Sequence, residues 1–219
     1  MEERKKKVLA GILGNESENS FRGVRYLYPD TSLCKEMCKE EFRKKSGLHY
    51  SNQLYFATDK VRAEVKTLTA KVLSKSQIES KAIEAGDKYK QEIERGDIGP
   101  VYIRYINNRI GFGLFTSEDL PEGVFIGEYV GNVRRCNYFF ADVNEYCFRY
   151  PLYQTGFKIY TVDAAEYCNE TSFMNHSRKG NCEATIAYCD GLLHITLITS
   201  QPIPKDTELT FDYGNFGHR

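Results

Sequence analysis

The chain has 219 residues, 41% hydrophobic and 27% charged, with 30 Lys+Arg balanced by 30 Asp+Glu. This composition excludes an intrinsically disordered chain and suffices for a hydrophobic core without disulfides or metals. No apolar run approaches the roughly 20 residues that cross a bilayer. Seven cysteines, odd in number and without a C-x-x-C pair, point to a reducing compartment and speak against a thiolate zinc site.

The opening MEERKKK-VLAGILG resembles a basic segment followed by a short apolar one. It carries acids and is followed by no A-x-A-like site, so no cleaved secretory signal is expected. A cytoplasmic protein is expected, with export by a route lacking a cleaved signal left open. The neutral total hides an asymmetry. Residues 1–98 hold 20 Lys+Arg against 16 Asp+Glu, whereas residues 99–219 hold 10 against 14, together with 11 of 16 tyrosines and 10 of 13 phenylalanines. The shift predicts a helical N-terminal extension over residues 1–98 and a second, β-rich domain over 99–219.

In the first part, Ser32 is placed to cap a helix with Leu33, Cys34, Met37, Cys38 and Phe42 on one face, ending at Ser46-Gly47. Cys34 and Cys38 are i,i+4 on that face; with no matching His or Cys pair nearby they read as core rather than metal ligands. A second helix starts at Thr58 or Asp59 with the stripe Val61, Val65, Leu68, Val72. A third, from about Ser76, carries Ile78, Ala82, Ala85, Tyr89 and Ile93 and stops at Gly96. The stripes are consistent with a homodimer built through these N-terminal helices. Packing of the same helices on the second part of the chain is the competing reading.

The second part reads as short strands: Val101–Ile106, Gly123–Val130, Lys158–Val162, then Glu183–Tyr188 and Leu192–Thr199 flanking the hairpin signal Asp190-Gly191. Such a pattern implies an α+β fold dominated by short strands.

Motifs stand among these strands in fixed order: Arg109-Ile-Gly111-Phe112-Gly113, Glu128-Tyr129-Val-Gly131, Val162-Asp163-Ala164, Ser172-Phe173-Met-Asn175-His176-Ser177 and Glu208-Leu-Thr-Phe211-Asp212-Tyr213-Gly214. Gly111 and Gly113 lack a Cβ and let a backbone approach a ligand closely. Asn175 and His176 offer amide and imidazole donors and acceptors. His176 forms no metal-ligand spacing with His49, His194 or His218, and no metal site is expected.

From about residue 100 onward the set resembles the SET-domain protein lysine methyltransferases, and most of all the compact bacterial, chlamydial-type members whose substrates are histones or histone-like proteins. The resemblance implies a β-rich SET fold with a C-terminal pseudoknot, S-adenosylmethionine as cofactor, and a lysine-rich protein as substrate. It implies that Gly111, Phe112, Gly113, Phe173, Asn175, His176 and Tyr213 hold the cofactor, with Phe216 as either a lid on it or simple packing. It also implies that Tyr213, Tyr146 and Phe211 form the reaction centre. Tyr213 would orient the amine; Phe211, at a position where the family carries Phe or Tyr, would leave room for dimethylation or trimethylation. Departures are Ser172 where the family often has Arg, Arg178 for Cys and Gly180 for Pro. No cysteine follows Cys189, so the zinc-binding segment that closes the channel in many relatives is not expected. The acidic balance of the second part suits a basic peptide rather than nucleic acid. A catalytically inert module whose helices recruit a partner is the alternative reading of the same residues.

Overall fold

The computed structural model describes residues 23–27, 34–76, 78–136, 144–152 and 159–215. Its architecture is α+β. A six-stranded sheet has the order β11-β14-β5-β4-β1-β2, built from β1 (Val24–Leu27), β2 (Cys34–Met37), β4 (Val101–Asn107), β5 (Gly111–Thr116), β11 (Asn175–His176) and β14 (Glu208–Phe211). The described residues also form two three-stranded sheets. One runs β12-β13-β6, from Cys182–Cys189, Leu192–Thr199 and Phe125–Glu128. The other runs β7-β9-β8, from Asn132–Cys136, Ile159–Asp163 and Cys147–Arg149. The short β3 (His49–Tyr50) pairs in parallel with β10 (Tyr167–Cys168). Among the described residues no helix is long and apolar enough to cross a membrane.

Asp190 and Gly191 both take positive φ, 48° and 74°, as the tight β12–β13 hairpin requires. Helices α1 (Lys39–Ser46), α2 (Asp59–Ser74), α3 (Ser80–Lys88) and α4 (Lys90–Arg95) all precede β4. Thr58 caps α2 with its side-chain oxygen accepting from the Val61 N–H, and Gly96 ends α4 at φ 65°.

Residues 1–98 depart from the helical extension that their composition suggests. Cys34–Met37, read from spacing as the first turn of a helix, is a strand that pairs antiparallel with β1. The helix begins only at Lys39, where Cys38 and Glu41 form a reciprocal capping box. The helix predicted from Ser76 is broken at Tyr89 into α3 and α4. β1 in turn pairs in parallel with β4, Tyr26 opposite Ile103. The composition boundary at 98/99 is therefore no break in packing: Val24, Tyr26, Met37, Phe42, Val65 and Val72 share one buried cluster with Ile103, Leu114, Ile126 and Leu197.

The two apolar stripes also face inward. Val65 and Val72 are buried on α2, with Val61 and Leu68 partly buried against the same cluster. Ala85, Tyr89 and Ile93 pack against Phe125, Ala187 and Cys189. Gly86 shows how tightly α3 docks, since a Cβ there would meet the Tyr188 carbonyl oxygen at 1.9 Å. The stripes that motivated a homodimer are thus satisfied within one chain, as in the competing reading.

Near the C-terminus, one segment wraps another. Asn175 and His176 pair in parallel with Thr210 and Phe211, and the Ser177 N–H donates to the Phe211 carbonyl at 3.0 Å. The Asn181 amide donates to the Glu208 carbonyl and accepts from the Thr210 N–H, both at 2.9 Å. β14 is held along its length by residues 175–181, which is the crossing expected of a pseudoknot.

Candidate active site

Two features meet where β11, β14 and β5 lie side by side. The first is a polar cradle. The Asn175 side-chain amide donates to the Phe112 carbonyl at 3.3 Å and to Glu208 Oε1 at 2.6 Å, tying all three strands together. A Cβ on Gly113 would lie 2.8 Å from Glu208 Oε1 and 3.1 Å from Asn175 Nδ2, so any larger residue there would push these two side chains out of their present positions. Gly111 has φ 79°, a conformation that other residues rarely adopt. The Tyr213 N–H donates to His176 Nδ1 at 3.2 Å, which leaves the ring proton on Nε2.

The second feature is an aromatic cleft, lined by Tyr129, Tyr146, Phe148, Met174 and Tyr213 with Glu145 and Ser172 at its margin. Its rings lean on one another: Tyr129 and Phe148 have centroids 4.3 Å apart, Phe211 and Tyr213 4.9 Å, and Phe148 lies 5.8 Å from each of Phe211 and Tyr213. The Tyr213 hydroxyl donates to the Met174 carbonyl at 2.5 Å. Burial, with smaller contributions from Tyr146 and Glu208, pushes the Tyr213 phenol well above its ordinary range, so it stays protonated at neutral pH.

Tyr146 is positioned through its backbone. Its carbonyl accepts from the Tyr129 hydroxyl at 2.9 Å and from the Ala164 N–H at 3.2 Å, and its N–H donates to Asn144 Oδ1 at 2.8 Å. Asn144 in turn donates to both Asp163 oxygens at 3.0 and 3.1 Å. Asp163 also accepts from the Ala165 N–H and from Arg134. Burial alone would raise the Asp163 carboxyl, but Asn144, Ala165 and Arg134 together outweigh it and hold it below the usual carboxylate value. Cys147, beside this network, is driven the other way by burial, to about 11, and is an inert thiol.

The structure thus brings together Tyr213, Tyr146 and Phe211 on one side, and Gly111, Gly113, Asn175 and His176 on the other, with Tyr213 belonging to both. Phe112 and Phe173 are placed differently from an open cofactor contact. Both rings are buried, facing each other edge to face at 6.5 Å, with Phe42 of α1 against Phe173 at 6.4 Å. Phe112 meets the cradle through its carbonyl, which accepts from the Asn175 amide. Phe216 lies outside the described residues. Among those residues no three His, Cys, Asp or Glu side chains converge as a metal set.

Tyr129, Phe148, Glu208, Asp163 and Asn144 were missing from the residues singled out in the sequence. Tyr129, Asp163 and Glu208 each sit inside a quoted motif, so the signal was present. Phe148 and Asn144 carried none beyond their nearness to Tyr146.

Residues 111–214 match the family model of the SET domain. The chain is 33% identical over 111 residues to the mouse and human histone-lysine N-methyltransferase SETD2, a match covering 49% of this chain and 4% of each of those proteins. It is 28% identical over 131 residues to the zebrafish N-lysine methyltransferase KMT5A-A, covering 56% of this chain and 38% of that protein. A solved apo ctPRC2 structure with substitutions in Ezh2 superposes with a TM-score of 0.50 at 26% identity, over 64% of this chain and 19% of that one. The chain therefore spans only a minor part of the length of these relatives. The segment that matches the SET domain, residues 111–214, carries both the polar cradle and the aromatic cleft.

Proposed function

We propose that the chain is an S-adenosylmethionine-dependent protein-lysine N-methyltransferase that adds two or three methyl groups to lysines of a basic protein such as a histone or histone-like protein. The observation that carries this reading is the junction at Tyr213, where the aromatic cleft meets the polar cradle. The donor set fits the cofactor. The Asn175 amide, the His176 imidazole and the Phe112 carbonyl supply donors and acceptors, and Glu208 supplies a carboxylate beside them, suited to a cationic ligand with amino and carboxylate groups. When bound, S-adenosylmethionine supplies an electrophilic methyl group on a sulfonium.

The remaining work falls to the chain. An in-line displacement needs the amine aligned and stripped of water, and alignment contributes up to about 7–11 kcal/mol in favourable cases. The rings of Tyr129, Phe148 and Tyr213 exclude water while tolerating a cation against their faces. A free lysine has a pKa of about 10.4, and desolvation between these rings lowers it. Tyr213 does not take that proton, because its phenol is itself protonated; it commits its hydrogen to Met174 and presents its oxygen lone pairs to the amine. Phe211, buried against Phe148 and Tyr213, brings no hydroxyl into the cleft, which favours repeated methylation. Steering of a basic substrate follows from the acidic balance of residues 99–219.

The test is incubation of the wild type and Tyr213→Phe with labelled S-adenosylmethionine and a lysine-rich protein. The wild type transfers label to lysine, and the variant loses at least about a hundredfold in rate with its fold intact. A well-folded wild type that labels no lysine substrate refutes the activity; near-normal rate in the variant refutes the role of Tyr213.

A further inference from the structure

Glu128 and Tyr129 are consecutive residues at the end of β6, and their side chains serve opposite sides of it. Tyr129 lines the aromatic cleft, whereas Glu128 lies at the floor of a separate cavity under α2 and α4, walled by Leu54, Phe56, Ile93 and Leu192. Glu128 and His194 are both buried there, with His194 Nδ1 2.7 Å from Glu128 Oε1. His194 Nε2 lies 3.2 Å from the Cys189 carbonyl. A carbonyl only accepts, so Nε2 carries a hydrogen. In a neutral ring Nδ1 would then hold a lone pair, and a 2.7 Å approach to a carboxyl oxygen requires one further proton between the two. The Glu128 carbonyl also accepts from Asn169 Nδ2 at 2.9 Å and Thr171 Oγ1 at 3.2 Å, on the turn that delivers Ser172 and Met174 to the cleft.

We propose that Glu128 and His194 form a one-proton positioning pair that braces Tyr129, and through its hydroxyl the Tyr146 carbonyl, from the far side of the cleft. The inference rests on the lysine methyltransferase reading of that cleft. Loss of the shared proton leaves a carboxylate facing an imidazole lone pair at 2.7 Å; the two must separate, and Tyr129 is the next residue. The surrounding charges are mixed. Arg62 from α2, Glu94 from α4 and Asp190 from the hairpin turn line the same cavity; Asp190 pairs with Lys66 of α2 at 2.9 Å, Lys90 of α4 acts on the neighbouring Cys189, and the Tyr150 hydroxyl acts on Glu128. Burial alone would lower the imidazole, but the Glu128 carboxylate outweighs it, with help from Cys189 and Asp190, and holds it above its ordinary value. The proton is therefore held to a higher pH than on an ordinary imidazole and is lost as the pH rises further.

Glu128→Gln discriminates, because its amide donates to the Nδ1 lone pair and preserves the link without a titrating proton. In methyl transfer to a lysine-rich peptide, the wild type gains kcat/KM with pH as the substrate amine deprotonates, then loses it on the alkaline side. In Glu128→Gln the alkaline fall disappears, and His194→Ala lowers kcat/KM about tenfold at neutral pH. On the same proteins without substrate, nitrogen-15 histidine spectra report the Nε2–H tautomer of His194. A fluorotyrosine signal, assigned to Tyr129 by its loss in Tyr129→Phe, shifts with the same midpoint as His194. An alkaline fall that persists in Glu128→Gln, or a His194 titration that leaves Tyr129 unmoved, overturns the proposal. If the wild type transfers no methyl group, the activity reading fails by itself, and the spectra alone decide whether the pair holds Tyr129.

Discussion

Gly180 stands where related sequences often carry proline, and the geometry says why no side chain is tolerated here. A Cβ at this position would lie 2.6 Å from both the Phe211 Cα and the Thr210 carbonyl oxygen. These are backbone atoms of β14, held by Asn181 at Glu208 and Thr210 and by the Ser177 N–H at Phe211, so they cannot rotate away as a side chain would. Relief to an ordinary contact requires a shift of roughly 1 Å, which costs about 1–3 kcal/mol of overpacking strain and at least one of those hydrogen bonds at about 1 kcal/mol. Gly180→Ala is therefore expected to lose about 2–4 kcal/mol. For a chain of this size that lowers Tm by roughly 5–15 °C. Because Phe211 and Tyr213 ride on the displaced strand, methyl transfer should fall even below the melting transition. Scanning calorimetry and a single-temperature transfer assay measure both. A variant that melts within about 1 °C of wild type refutes the claim that β14 is clamped by residues 175–181.

Phe211→Tyr should shift the product toward monomethyl-lysine, because the added hydroxyl occupies space between Phe148 and Tyr213; a mass spectrum still dominated by dimethylated or trimethylated lysine contradicts it. Asp163→Asn removes the charge that organises Arg134, Asn144 and Ala165, and should cost about 2 kcal/mol in denaturant titration while loosening Tyr146. Since the native carboxyl titrates below its unfolded value, its stabilisation is present above about pH 4 and lost as the pH falls; the variant should therefore show a shallower acid limb, and an unchanged one would contradict the assignment.

The strands of the second part and the cradle were legible because local signals agreed: alternation, the Asp190-Gly191 turn, and the glycines Gly111, in a left-handed conformation, and Gly113, beside the Glu208 and Asn175 side chains. Legibility ended where long-range pairing decides. Residues 34–37 satisfy a helical 3-4 spacing, yet β1 offers them an antiparallel partner, and Cys38 is an unusual residue to open a capping box with Glu41. The parallel pairings of β1 with β4 and β3 with β10 leave no trace in periodicity, because each partner lies far away in the chain. Phe112 and Phe173 were read by their motif neighbours as facing a ligand. Which face a ring takes depends on the core behind it, and here Phe42, from a helix before residue 98, draws Phe173 inward.

That dependence makes the unity of the chain testable. The matched SET segment begins at Gly111, which invites the view that residues before 98 are an appendage. The contacts argue otherwise. The Tyr55 N–H donates to the Gly131 carbonyl at 3.0 Å and the Val133 N–H donates to the Tyr55 carbonyl at 2.8 Å, so the loop before α2 is hydrogen-bonded to the strand that leaves Tyr129. Tyr50 donates to the buried Glu170 at 2.9 Å, beneath the turn that carries Ser172 and Phe173. Val24, Tyr26, Met37, Phe42, Leu48, Val65 and Val72 are buried in the shared core. At about 1.5 kcal/mol each they account for about 10 kcal/mol, comparable with the whole stability of an ordinary domain. A fragment of residues 99–219 should therefore fail to fold cooperatively, showing no sharp thermal transition and binding a hydrophobic dye, and coexpression with residues 1–98 should restore both the transition and methyl transfer. A fragment that melts cooperatively on its own would show that the aromatic cleft needs no brace from the first part of the chain.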